Sequence, residues 1–182
     1  MSTLLVLFHS ATGHVAQLAE KIAAGAESQG VEALLRNPET GRETPYLTVT
    51  KDELRQCSGL ALGSPARFGS MSSHLKAFFE TTSDLWLSGA MIDKPAGVFG
   101  ASSSLHGGNE VVLLGMALPL LHHGMLLTGV PYSEAGLNMQ QGGGTPYGPS
   151  LVENDSNQPH PHELELAFNL GVRLAKLIKA LA

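Results

Sequence analysis

Short apolar runs of strand length recur along this chain, and each is followed by a segment whose apolar residues repeat at helical spacing. Repeated βαβ units produce that alternation, which restricts the fold to helices packed on a largely parallel sheet. The first run, Thr3 to Phe8, is almost uninterruptedly hydrophobic, as expected of a strand covered on both faces. A helix is predicted over 15–29, where Val15, Leu18, Ile22 and Ala26 share one face and Glu20, Lys21 and Glu27 the other. Further strands are predicted at 31–35, 59–62, 95–101 and 126–130, and helices at 70–87, 109–121 and 161–181. In the last helix Leu164, Phe168, Gly171, Leu174, Ile178 and Leu181 recur every three or four residues, and Pro161 suits its first turn. Five strands and four long helices in this order predict a doubly wound five-stranded parallel sheet in three α/β/α layers, one domain over 1–182. Ligands of such folds bind beyond the carboxyl ends of the strands, where strand order reverses, so the loops after strands one, three and four should carry function. Two segments do not fit a bare five-strand pattern: Asn37 to Thr50, and Asn138 to Gln158 with its Gly142-Gly143-Gly144-Thr145-Pro146-Tyr147-Gly148-Pro149 run. Loops this long in a compact domain are usually functional or serve assembly.

Composition narrows the class further. With 43% hydrophobic and 15% charged residues over 182 positions, the chain has apolar material for a substantial core. The longest apolar run, Val111 to Leu121, is interrupted by Gly115 and Pro119 and falls short of the roughly 20 residues that a membrane span needs. The N-terminus has no basic region ahead of its apolar residues and reads as a strand, not a signal peptide. A single cysteine, Cys57, allows no internal disulfide, and a cytoplasmic location is expected. Net charge is −5, without any cluster of basic residues, which argues against nucleic acid as a partner.

The loop after the first strand, Phe8-His9-Ser10-Ala11-Thr12-Gly13-His14-Val15, is rich in small and hydroxyl residues and contains no Lys or Arg. A phosphate there would be held by backbone N–H groups, hydroxyls and the positive end of the helix. Neither the P-loop pattern nor G-x-G-x-x-G follows the strand, so nucleotide hydrolysis and dinucleotide binding are disfavoured and a mononucleotide phosphate remains. Simple N-capping of the helix is the competing reading of this loop taken alone.

Ser10-x-x-Gly13-His14-Val15 resembles the FMN phosphate loop of the Trp repressor-binding protein (WrbA) family, flavodoxin-like NAD(P)H:quinone oxidoreductases. Gly63-Ser64-Pro65-Ala66-Arg67-Phe68-Gly69-Ser70-Met71-Ser72 and Leu85-Trp86-x-x-Gly89-Ala90 resemble further blocks of that family. His122-His123-Gly124-Met125 and Gly143-Gly144-Thr145-Pro146-Tyr147-Gly148 follow in order, so the likeness covers nearly the whole chain.

The resemblance implies a set of site residues. FMN would be bound by Ser10, Ala11, Thr12, Gly13, His14 and Val15, by Pro65, Ala66, Arg67, Phe68 and Gly69, and by Ser102, Ser103 and Ser104. By residue type alone, Arg67 equally fits a surface ion pair and Phe68 a core side chain. His122, with His123 as second choice, would hydrogen-bond the flavin or a quinone oxygen. Trp86 and Tyr147 would meet the substrate, Trp86 at the mouth of a neighbouring subunit's site in a homotetramer built as a dimer of dimers. The eight histidines show no zinc-ligand spacing, and no metal is expected. Two departures stand out: Leu105 and His106 replace glycines of the family's third cofactor loop, and Thr12 stands where an aromatic is common.

The implied activity is FMN-dependent, two-electron, ping-pong reduction of quinones by NADH or NADPH. The alternative is a flavodoxin-like electron carrier without a substrate of its own. A receiver domain is excluded, because Gly63 and Ser64 stand where an acceptor aspartate would close strand three.

Overall fold

In a computed structural model, which describes residues 2–39, 44–139, 141–154 and 158–182, the chain forms one parallel sheet with helices on both faces. Its elements in chain order are β1 (Thr3–Phe8), α1 (His14–Glu27), β2 (Glu32–Asn37), β3 (Leu47–Thr48), α2 (Lys51–Gln56), β4 (Gly59–Pro65) and α3 (Ser73–Glu80). There follow α4 (Ser83–Leu87), β5 (Pro95–Ser102), α5 (Asn109–His122), β6 (Leu126–Leu127), a 3-10 turn (Ala135–Asn138), β7 (Ser150–Val152) and α6 (Pro161–Leu181). The strand order is β3-β2-β1-β4-β5-β6, with β7 also pairing β5, so the direction of winding reverses between β1 and β4.

The unbroken hydrophobicity of β1 has a direct cause. Leu4, Val6 and Phe8 pack in a cluster with Val15, Leu18 and Ile22 of α1 and Leu170 and Leu174 of α6. Leu5 and Leu7 face the opposite way, into a cluster with Leu75, Leu85, Val112, Leu113 and Met116. Each such side chain, fully buried, contributes roughly 1.5–3 kcal/mol. On the first face α1 and α6 cross with their backbones in contact. A Cβ at Gly171 would lie 2.0 Å from the carbonyl oxygen of Ile22, and one at Gly25 would lie 2.1 Å from that of Phe168. Only glycine fits at either point.

Two predicted elements are corrected, and one segment outside the predicted pattern gains structure. The helix expected over 70–87 is two helices, because Thr81 and Thr82 turn their hydroxyls back onto the carbonyls of Phe78 and Phe79, both at 2.7 Å, and compete with the helical ladder. The strand expected at 126–130 keeps only Leu126–Leu127, paired with Pro95 and Ala96. The chain then leaves the sheet through Pro131 and returns as β7, which pairs with Gly100–Ser102 further along the same strand. The edge is thus one strand line split by the segment 128–149, and among the described residues the sheet counts seven strands instead of five. Finally, the polar segment after β2 contains β3 and leads to α2, whose start is fixed by a capping box. Thr50 Oγ1 accepts from Glu53 N at 3.1 Å, and Glu53 Oε2 accepts from Thr50 N at 2.9 Å. Among the described residues, no helix is long and apolar enough to cross a membrane.

Candidate active site

Strand register brings the three expected loops to one edge. Phe8 pairs with Gly63, and Pro65 pairs with Ala101, so the turns that follow β1, β4 and β5 leave the sheet side by side, flanking the point of reversal. Two backbone bonds lock them there: His9 N to Gly63 O at 3.1 Å and Ala66 N to Ala101 O at 2.7 Å.

The first turn ends at Gly13, the N-cap of α1, with φ of +94° and no side chain with which to cap the helix. Among the described residues, a side chain there would meet nothing within 4 Å, so none of them fills the space over the helix start. Ser10 Oγ accepts from Ala16 N at 3.2 Å, which folds the loop back over the first helical turn. Thr12 is exposed, its hydroxyl 3.0 Å from Nδ1 of the buried His14. The same nitrogen lies 3.0 Å from Glu153, just beyond β7, and so ties the turn to the returning edge strand. Val15 points into the core below. With Ala11 exposed and no Lys or Arg in the turn, the donors that face outward are amides and hydroxyls. That donor set fits the phosphate of a flavin mononucleotide, which carries about −1.5 to −2 charges that the helix N-terminus attracts.

In the second turn, Arg67 and Ser70 exchange backbone bonds of 2.9 and 3.0 Å around Phe68 and Gly69. Both central residues have positive φ, +51° and +74°. Left-handed geometry is uncommon for a phenylalanine, and it throws the Phe68 ring fully into solvent. Phe68 is therefore not a core residue, and Arg67, also exposed, pairs with no carboxylate among the described residues. Ser64 Oγ accepts from Ser72 N at 2.9 Å and fixes the far end of the turn, while Pro65 and Ala66 are half-buried at its base.

The third turn approaches the second so closely that a Cβ on Gly108 would lie 3.1 Å from Gly69 Cα. Ser102 is buried and donates to Ser104 O at 2.8 Å, whereas Ser103 and Ser104 are exposed. Gly108 caps α5 with φ of +87°, so this helix, like α1, starts at a glycine that offers no side-chain cap.

The remaining expected residues lie elsewhere in the chain. His122 is exposed at the end of α5 and, with Trp86, Phe79, Leu118 and Pro119, lines an apolar groove of about 650 Å³ that reaches the second turn at Ser70 and Met71. His123 lines the same groove but is buried. Its Nε2 meets Thr82 Oγ1 at 3.0 Å, and because that hydroxyl donates to Phe79, the ring must donate from Nε2. Nδ1 is left bare in a buried setting, without a hydrogen-bond partner among the described residues. Burial, and secondarily the neighbouring His122, hold the His123 pKa below its usual 6.5. Tyr147 lines a separate depression with Val98, Leu113 and Leu114.

Sequence reasoning missed Tyr46. Its ring packs edge-on against Phe8 at 4.9 Å, and its hydroxyl donates to Glu20 at 2.6 Å. Burial first, and Glu20 second, push its pKa up to about 12. With Ser10, Gly13, Gln17 and Asn37 it lines a cleft of about 400 Å³ on the β2 side of the first turn. The scarcity of aromatic residues, 5% of the chain, was the available signal.

A doubly wound sheet with three turns gathered at the reversal point, two of them leading into glycine-capped helices, defines a flavodoxin-like mononucleotide-binding protein. Comparison with known proteins agrees. The model of the family described as NADPH-dependent FMN reductase matches residues 7–132. An NAD(P)H dehydrogenase (quinone) of Rhizobium rhizogenes is 37% identical, the match covering 97% of each chain. Among solved structures, a flavodoxin, WrbA-like protein from Agrobacterium tumefaciens superposes with a TM-score of 0.76 at 25% identity over 99% of each chain. Oxidised Flavodoxin 1 from Bacillus cereus, at 18% identity and a TM-score of 0.67 over 96% of this chain and 98% of that one, shares the fold. The chain belongs to the NADPH-dependent FMN reductase family, and the likeness to WrbA-type quinone oxidoreductases extends over its whole length.

Proposed function

We propose that this chain is an FMN-dependent NAD(P)H:quinone oxidoreductase that reduces quinones by two electrons. The observation that carries this reading is the meeting of the turns after β1, β4 and β5 at the reversal point, in a chain of an FMN reductase family similar to a quinone dehydrogenase. FMN, held by the turns after β1, β4 and β5, would supply the two-electron redox chemistry between NADH or NADPH and a quinone.

The chain's own residues bind, orient and polarise. The turn Ser10-Ala11-Thr12-Gly13-His14-Val15 grips the phosphate through amides and hydroxyls. Pro65, Ala66, Arg67, Phe68 and Gly69, with Ser102, Ser103 and Ser104, hold the edge of the rings, a role that the Gly69–Gly108 approach supports by drawing the second and third turns together into one rim. Arg67, exposed and unpaired by any described carboxylate, supplies positive charge at the rim of the site, where it would meet the anionic groups of a nicotinamide nucleotide. His122 donates to the flavin or quinone oxygen, and His123 positions it by anchoring the end of α5 to Thr82.

Trp86 and Tyr147 complete a site shared between copies in a homotetramer, a dimer of dimers, with Trp86 at the mouth of a neighbouring copy's site. The exposed apolar residues Trp86, Val111, Leu114, Leu118 and Leu121 support this assembly, since α5 is hydrophobic around most of its circumference and a contiguous apolar face marks an interface. The enzyme is a single domain over 1–182 and works in the cytoplasm.

The test is steady-state kinetics of the FMN-loaded protein with NADH or NADPH and benzoquinone. Parallel double-reciprocal lines support the enzyme. Bound flavin without turnover would instead identify an electron carrier.

A further inference from the structure

Beside the first turn lies a side-chain cluster that the flavin chemistry does not use. His9, at the end of β1, Glu39, just past β2, and His74, in the first turn of α3, are distant in sequence but converge in space. One carboxylate oxygen of Glu39 lies 2.8 Å from His74 Nε2 and 3.8 Å from His9 Nε2. The two imidazole rings are 4.8 Å apart centre to centre, with an interplanar angle of 34°. The ligand atoms of all three residues fall within 4.8 Å of one another. A tetrahedral ion with bonds of about 2.0–2.1 Å needs ligand atoms about 3.3 Å apart, so every pair in this set is already within about 1.5 Å of coordination spacing.

We infer that His9, Glu39 and His74 form a three-ligand site for one divalent transition-metal ion, with Zn²⁺ the best match to the donors. Two imidazole nitrogens beside a single carboxylate oxygen favour zinc over magnesium or calcium, which prefer all-oxygen shells. Burial supports the assignment from the protein side. The His9 side chain is 8% exposed and that of Glu39 15%, so both are held in place, whereas that of His74 is 47% exposed and leaves a path for an ion to enter. His9 and Glu39 also line the cleft that contains Ser10 and Gly13, so a bound ion, net +1 with the carboxylate, would sit next to a turn that has no cationic side chain. The spacing of these residues in sequence concealed the set, which only the meeting of β1, β2 and α3 creates.

The experiment is zinc titration of the FMN-loaded full chain by isothermal calorimetry, with stoichiometry checked by elemental analysis after dialysis. One zinc per chain is expected. His74→Ala, a change at a half-exposed position that leaves the core alone, and Glu39→Gln should each weaken binding by at least the roughly 10–100-fold that even an outer-shell partner costs. Zinc should also raise the melting temperature of the parent protein and leave that of His74→Ala unmoved. Failure of the parent to take up zinc, unchanged affinity in both variants, or displacement of zinc by equimolar magnesium would overturn the site. Because the readout is metal bound and not turnover, failure here is distinct from failure of the quinone reductase reading.

Discussion

At the scale of the residue, His123 shows how a side chain's role is decided by what surrounds it. In sequence it is one of an identical pair, and nothing local separates it from His122. The fold buries one ring and exposes the other, fixes the Nε2–H tautomer through Thr82, and leaves no acceptor for a second ring proton. The folded state therefore holds this histidine below its unfolded pKa of 6.5. A group depressed in this way stabilises the fold at pH above 6.5, and that contribution is lost as pH falls through the lower folded value. Melting temperature measured from pH 7.5 down to 5 should fall, and His123→Gln, which retains a donor toward Thr82, should flatten that dependence. An identical slope in the variant would remove His123 as the cause. The turn of Phe68 was likewise illegible in sequence. A phenylalanine beside small residues reads equally as core, and only its positive φ reveals a ring aimed at solvent.

At the scale of the element, what was legible followed from periodicity. β1 and α6 lie at the boundaries that the hydrophobic pattern predicts, because both bury long regular faces. The edge strand was not legible beyond its first residues, since two short pieces far apart in sequence share one strand line through pairing with β5. What fastens the second piece is Glu163 in the first turn of α6. This fully buried carboxylate accepts from Gly143 N at 2.5 Å and Val152 N at 2.9 Å through one oxygen, and from His160 N at 2.7 Å through the other. Glu163→Gln would turn an amide N–H₂ toward one of these donors and should cost roughly 3 kcal/mol or more, read as a lower urea midpoint. Gly171→Ala forces α1 and α6 apart and should cost about 1–3 kcal/mol, or about 2–12 °C in melting temperature. Unchanged stability in Gly171→Ala would mean that the two helices do not cross in contact.

At the scale of the whole molecule, the three turns that the sequence pattern marked do converge, because the reversal between β1 and β4 is a property of topology and not of any one motif. The residues expected to meet flavin or substrate are spread wider within one chain: Trp86 and His122 line a groove that touches only the second turn, at Ser70 and Met71, and Tyr147 lines a separate surface. An assembly that buries the α5 face would unite them. Leu118→Asp, placed on that face at an exposed position, should reduce the mass in solution toward a single chain and lower quinone turnover while FMN stays bound. A full-mass oligomer in that variant would move the interface elsewhere.

Most directly at stake is whether the turn between β1 and α1 holds a phosphate without a cationic side chain. Titrating the protein with FMN and with riboflavin, which differ only by that phosphate, measures its worth. FMN should bind at least about 100-fold more tightly, a difference of about 2.7 kcal/mol. In Gly13→Ala, where left-handed backbone costs roughly 1–2 kcal/mol, most of that preference should disappear while riboflavin affinity holds. Equal affinity for the two flavins, or an undiminished preference in the variant, would place the phosphate somewhere else and contradict the reading of the site.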